Sequence, residues 1–246
     1  MWPILFRKSM QAREQKRREH EEYGIRLQDN VRYLQLAFNE DWAQAKRILP
    51  RIPPSSRILI EAGTPYIKRE GVAGIYSLHS YWPGPIVADL KTMDGGAEEV
   101  AMARAAGATA VTVLGSSPTE TLNLFISTCH DMDVDSMVDM LGVEDPLAVL
   151  MRLQRPPRVV VLHRGRDEEH TRGKVIQYRH VNRVHSKFDV LISAAGGVDL
   201  REARSAIFNG ASIVVVNIVS PGKPWEGIPA NSDVGGMAGR FLETIE

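Results

Sequence analysis

Residues 85–100 read PIVADLKTMDGGAEEV. The apolar run Ile86-Val87-Ala88 ends in Asp89-Leu90-Lys91-Thr92-Met93-Asp94, the glycines Gly95 and Gly96 follow, and a helical pattern begins. A short hydrophobic run that stops at charged residues and turns into a helix is the pattern of a buried parallel strand and its βα loop. Asp89 and Lys91 are two apart, so an extended backbone points them to one side. Charges at the mouth of a hydrophobic strand are costly to bury unless they pair or bind something. Taken alone, the segment also fits a salt-bridged loop, so the surroundings have to decide.

The same pattern recurs on both sides of this segment. Strands are expected at Tyr33–Phe38, Arg57–Ile60, Ile86–Asp89, Ala110–Leu114, Asp135–Val138, Arg158–Leu162, Asp189–Ser193 and Ser212–Val216. Helical patterns lie between them, with bounds near Glu40–Leu49, Ala97–Ala106 (stopped by Gly107) and Pro118–His130, and a last helix near Asp233–Thr244. Short β-branched runs alternating with helices predict an α/β fold, a parallel (β/α)8 TIM barrel. Polar residues stand where the strands end: Asn39, Glu61, Asp89, Asp139 and His163. The C-terminal ends of the strands form the active-site rim of such barrels, so this recurrence predicts an enzyme.

The chain of 246 residues, 43% of them hydrophobic, is long enough for one such barrel with a full core. Lys plus Arg and Asp plus Glu are equal at 30 each, which argues against a general nucleic-acid or membrane-surface role. The single cysteine, Cys129, excludes an internal disulfide framework and reads as packing within a helix. The apolar start MWPILF is too short for a secretory signal and precedes its charges, and no run reaches membrane-spanning length; a cytoplasmic setting is expected. Residues 7–26 interleave Arg and Glu at helical spacing, so residues 1–30 are expected to be a solvated helical extension to a barrel domain at 31–246. Such an extension would cap the barrel's lower end or pack on a partner.

The segment Ala88–Gly115, ADLKTMDGGAEEVAMARAAGATAVTVLG, resembles the third and fourth βα units of 3-hexulose-6-phosphate synthases. That family shares a superfamily of (β/α)8 barrels with orotidine-5′-phosphate decarboxylase and 3-keto-L-gulonate-6-phosphate decarboxylase. The similarity extends over residues 33–216, through Glu61-Ala62-Gly63-Thr64-Pro65 and Met137-Val138-Asp139. It implies a Mg2+ held by Glu61 and Asp89, binding the oxygens of ribulose 5-phosphate and stabilising an enediolate that attacks formaldehyde. The residue-level alternative is a carboxylate pair bonded to Lys91. The resemblance further implies that Lys91 stabilises the enediolate and that His163 moves the C1 proton. Asp94 would position Lys91, bind substrate hydroxyls or reach into a neighbouring subunit's site, which implies a homodimer with shared active sites. Asp139 is a further candidate for holding substrate.

Gly196 and Gly197 follow the seventh strand, where barrels commonly bind phosphate through backbone N–H groups at a helix N-terminus. Three departures from the synthases stand out. Asn39 replaces an aspartate at the end of the first strand, and Asn217-Ile218 replaces a Gly-Arg pair after the eighth, so either Lys223 or Arg201 stands in for the missing guanidinium beside Asn217 or the phosphate is held more weakly. His163-Arg164-Gly165-Arg166 resembles the His-Arg-Ser-Arg of the keto-gulonate decarboxylases, which makes Arg166 a candidate for enediolate stabilisation or proton donation. Three readings stay open: a formaldehyde–ribulose-5-phosphate aldolase in either direction, a related sugar-phosphate decarboxylase, and a non-catalytic barrel with a retained binding site.

Overall fold

A computed structural model describes residues 26–169 and 171–246. Except for Arg26, the helix expected within residues 7–26 lies outside the described residues. Eight parallel strands follow one another in chain order: β1 (Tyr33–Phe38), β2 (Ile58–Ala62), β3 (Ile86–Thr92), β4 (Ala110–Leu114), β5 (Asp135–Asp139), β6 (Val159–His163), β7 (Leu191–Ala195) and β8 (Ile213–Val219). Pairing of β1 with β8, Tyr33 against Ser212 and Ile213 onward, closes the cylinder. Closure leaves no sheet edge in the barrel proper. A two-residue strand, β9 (Ile228–Pro229), pairs with the end of β8. The expected (β/α)8 barrel is the observed one.

Each strand is followed by a helix: α1 (Trp42–Ile48), α2 (Thr64–Tyr81), α3 (Gly96–Ala105), α4 (Thr119–Asp131), α5 (Pro146–Leu150), α6 (Arg179–His185), α7 (Leu200–Phe208) and α8 (Val234–Thr244). Their starts are set locally. Asp41, Asp145, Asp199 and Asp233 each accept a hydrogen bond from a first-turn amide, satisfying donors that a helix leaves open. Asp41 is why α1 begins two residues later than Glu40. The apolar run places the end of the third strand at Asp89; the observed strand continues to Thr92, through a slip in its pairing with β4 between Ala88 and Thr92.

Alternation along the strands sorts the core into two. Side chains pointing outward (Leu34, Ile60, Val111, Val160, Val214) pack under the helices. Those pointing inward (Tyr33, Leu59, Val87, Ala110, Met137, Val159, Leu191, Ile213) fill the barrel's lower interior. Above them the inward positions turn polar: Gln35, Glu61, Asp89, Thr112, Asp139, His163 and Asn217. Period-two geometry thus places every strand-end polar residue over one floor.

The lower end is plugged from below. Leu27 is buried against the inward layer. Its amide donates to Asp135 Oδ2 at 2.9 Å, Arg26 Nε donates to Asp135 Oδ1 at 2.9 Å, and Arg158 Nη2 donates to the Leu27 carbonyl at 2.6 Å. The described end of the N-terminal extension therefore caps the barrel. Cys129 is buried in α4, and burial pushes its thiol up to about 12, in keeping with a packing role.

Candidate active site

The slip in β3 builds the centre. Lys91 has φ 48°, in the left-handed region that costs a non-glycine residue roughly 1 kcal/mol. Its amide donates to Thr112 Oγ1 at 3.0 Å, and its ammonium turns back on Asp89, 3.0 Å from both oxygens. Plain alternation predicts the pairing; the left-handed residue is what delivers it. Lys91 Nζ also donates to Asp139 Oδ2 at 2.8 Å. Burial works against the ammonium, but Asp89 and then Asp139 outweigh it and hold Lys91 above the ordinary lysine value.

Asp139 ends β5 and is almost fully buried. One oxygen takes the Lys91 ammonium, while the other accepts from the Leu141 amide at 3.0 Å. His163 Nδ1 lies 2.9 Å from Oδ2 and 3.1 Å from Oδ1. Burial opposes the charge on Asp139, but His163 and Lys91 outweigh it and keep this carboxyl below the usual range. Burial likewise opposes imidazolium formation at His163, and the Asp139 carboxylate outweighs it, so His163 titrates above 6.5. With Nδ1 engaged by Asp139, Nε2 is the ring nitrogen left for a substrate.

Glu61, at the matching height on β2, accepts from Gln35 Nε2 at 2.5 Å. Burial first, then the Asp89 carboxylate, push Glu61 up to about 7. Asp89 has more donors: Thr112 Oγ1 at 2.8 Å and Thr64 Oγ1 at 2.7 Å, besides Lys91. The two acids of β2 and β3 therefore differ in kind, one well supplied with donors and one poorly solvated.

These groups line one cavity of about 490 Å³ at the C-terminal mouth of the barrel. Of the residues singled out in the sequence, the cavity brings together Asn39, Glu61, Asp89, Lys91, Asp139, His163, Arg166, Gly196 and Asn217. Asn39 Nδ2 donates to Asn217 Oδ1 at 3.0 Å, so two of the three departures from the synthase pattern are partners across the β1–β8 seam. Arg166 begins a 3-10 turn (Arg166–Glu168), and its guanidinium carbon lies 5.3 Å from the centre of the Trp225 ring. Gly197 is buried and is not among the lining residues. Asp94, Arg201 and Lys223 are exposed and do not line the cavity.

Sequence reasoning missed Gln35, Thr64 and Thr112. Gln35 and Thr112 carried a visible signal, since each is a polar residue at an inward position of an otherwise apolar strand. Thr64 stood only within the Glu61–Pro65 similarity, and no local pattern showed its role, which depends on how the β2–α2 turn meets Asp89. No group of three or more His, Cys, Asp or Glu with metal-holding geometry occurs among the described residues. No helix among them is long and apolar enough to cross a membrane.

Comparison with known proteins gives the chain's family. Residues 32–217 match the orotidine 5′-phosphate decarboxylase / HUMPS family. The chain is 37% identical over 216 residues to the bifunctional enzyme Fae/Hps of Methanothrix thermoacetophila, covering 87% of this chain and 53% of that protein. Against the protein of the same name from Methanosarcina barkeri, identity is 34%, with 87% and 52% covered. The chain thus spans about half the length of the curated relatives it matches. Its fold overlays a 3-hexulose-6-phosphate synthase from Salmonella typhimurium with a TM-score of 0.75 and 26% identity, covering 87% of this chain and 98% of that one. A KGPDC from Streptococcus mutans shares the fold at a TM-score of 0.69 and 19% identity, with 86% and 96% covered. A family match over most of the barrel, on top of a rim that joins acids, lysine and histidine in one cavity, leaves one conclusion: this chain belongs to the orotidine 5′-phosphate decarboxylase / HUMPS family of enzymes.

Proposed function

We propose that the protein is a 3-hexulose-6-phosphate synthase-like aldehyde-lyase, joining formaldehyde to C1 of ribulose 5-phosphate or running the reverse cleavage. The observation that carries this reading is the unbroken chain of contacts Asp89–Lys91–Asp139–His163 facing one cavity beside Glu61. The half-length match to the Fae/Hps proteins and the synthase-like fold support it.

In the condensation, neutral His163 takes a proton from C1 through Nε2, and the electron pair moves to the C2 carbonyl oxygen. The Lys91 ammonium, held at the cavity by two carboxylates, faces the oxyanion that forms. C1 of the enediolate then attacks the carbon of formaldehyde, whose oxygen takes the proton back from His163. Asp139 keeps the imidazole oriented and favours its protonated form, and stays ionised throughout.

Glu61 and Asp89 would hold a Mg2+. The donor set fits: the ion takes one or two carboxylates and completes its shell with water and substrate oxygens. A carboxyl held near 7 by burial and a like charge is one that a divalent cation would ionise. When bound, the ion supplies Lewis acidity at the substrate's keto and hydroxyl oxygens. Asp94, exposed beyond its own cavity, suits the further reading that the enzyme is a homodimer in which this acid serves the neighbouring site.

A second reading rests on Arg166, which lines the cavity with its guanidinium face on Trp225. A cation there would also suit decarboxylation of a β-keto acid sugar phosphate. Formaldehyde consumption separates the two. Loss of formaldehyde with ribulose 5-phosphate and Mg2+, stopped by EDTA, supports the synthase. Turnover confined to 3-keto-L-gulonate 6-phosphate supports the decarboxylase.

A further inference from the structure

The turn between β7 and α7 is moulded on one residue, Arg164. The Arg164 amide donates to the Ala195 carbonyl at 3.0 Å, so the two chains run side by side as they leave β6 and β7. A Cβ at Gly196 would lie 2.0 Å from the Arg164 carbonyl oxygen, and Gly196 has φ 105°, so only glycine fits. The Arg164 side chain then returns over the turn. Its Nη2 donates to the carbonyl of Gly196 at 2.9 Å and to that of Gly197 at 3.2 Å.

A trans peptide holds its C=O and N–H on opposite sides. The Gly196 carbonyl shares its peptide unit with the Gly197 amide, and the Gly197 carbonyl shares one with the Val198 amide. With both carbonyls drawn to the guanidinium, both N–H groups face away from it. Among the described residues neither amide has a hydrogen-bond acceptor. Two adjacent amides without an acceptor, at the entry to α7 and next to a glycine that lines the cavity, are donors left for an anion.

We propose that Arg164 is the positioning residue of the phosphate cradle: it holds the two glycine carbonyls so that the following amides are presented to the substrate's phosphate. The assignment rests on the reading above that the substrate is a sugar phosphate seated at this turn. Arg164 does not line the cavity and works through the backbone. A guanidinium suits the task because its planar fork engages two oxygens at once and never loses its charge. Without it the carbonyls are free to rotate toward the phosphate and repel it.

The test uses the full chain with R164A, R164K and G196A. Binding of inorganic phosphate, ribulose 5-phosphate and unphosphorylated ribulose is read by calorimetry, together with KM and kcat. In R164A, Kd for both phosphorylated probes and KM for ribulose 5-phosphate should rise roughly tenfold or more, the scale of losing a charge-assisted hydrogen bond. Turnover at saturation should stay within about threefold, because the reacting groups are untouched. Affinity for unphosphorylated ribulose should not move. R164K, which keeps a donor but not the fork, should lie between. G196A keeps the guanidinium but forces the turn off it, so it should lose phosphate as R164A does; with R164K it decides the matter if R164A fails to fold. Wild-type affinity for inorganic phosphate in R164A, or in R164K and G196A together, overturns the role of Arg164. If the wild-type protein binds neither phosphorylated probe, the sugar-phosphate reading itself fails, and the assignment goes with it.

Discussion

Nδ1 of His163 lies 2.9 Å from Oδ2 of Asp139, and that contact decides both which ring nitrogen is free and when it is a base. The carboxylate stabilises the imidazolium and raises His163 above 6.5. As base in the condensation, His163 must be neutral. We therefore expect kcat/KM to fall as pH drops through a value above 6.5. In D139N the negative charge is gone, His163 titrates lower, and the acid limb should move to lower pH while kcat drops about a hundredfold or more from lost orientation. A pH–rate profile of both proteins checks the shift; an unmoved limb contradicts the pairing.

Glu61 gives a second pH dependence, of stability. Its folded-state value, about 7, lies above the ordinary 4.5, so the folded protein prefers the neutral carboxyl. The contribution of this group to the stability of the metal-free protein should therefore be fully present below 4.5 and be lost as pH rises toward 7, by an amount on the order of a few kcal/mol. E61Q should flatten this part of the curve. Mg2+ should raise the Tm of the wild-type protein more at pH 8 than at pH 6, and raise that of E61Q little. Equal Tm gains in both proteins would remove Glu61 from the metal site.

Thr112 bridges the slip in β3, donating to Asp89 Oδ1 at 2.8 Å and accepting from the Lys91 amide at 3.0 Å. T112V keeps the volume and removes both bonds. It should cost about 1–3 kcal/mol of stability in urea unfolding. Because it frees the left-handed Lys91 backbone, it should also lower kcat about tenfold or more through misplacement of the ammonium.

Leu27 provides the contrast. It plugs the lower end of the barrel, far from the rim. L27A should cost about 2–5 kcal/mol, as buried Leu→Ala changes do, with KM and kcat unchanged at a temperature where the variant is folded. An altered KM would mean that the plug communicates with the cavity.

The fold was legible because period-two strands ending in polar residues leave few alternatives, and most of the strand ends lie within a residue or two of where the hydrophobic runs placed them. Asp41 shows the limit at helix ends, where a cap and not a hydrophobic run sets the start. Within the site, the acids, Lys91 and His163 were readable from their places at strand ends. Arg164 was not, because its role arises where the chains after β6 and β7 meet, and that long-range contact has no local pattern. Lys223 is the opposite case: a cation near the right strand in sequence, but exposed and off the cavity in space.

Exchange of the C1 proton of ribulose 5-phosphate in D2O, followed by NMR with Mg2+ present and formaldehyde absent, isolates the first step of the proposed reaction. Wild-type protein should wash deuterium into C1, H163Q should lose that exchange by about a hundredfold or more, and K91M should do the same. No exchange by the wild-type protein, or exchange undiminished in H163Q, would contradict an enediolate lyase built on this cavity.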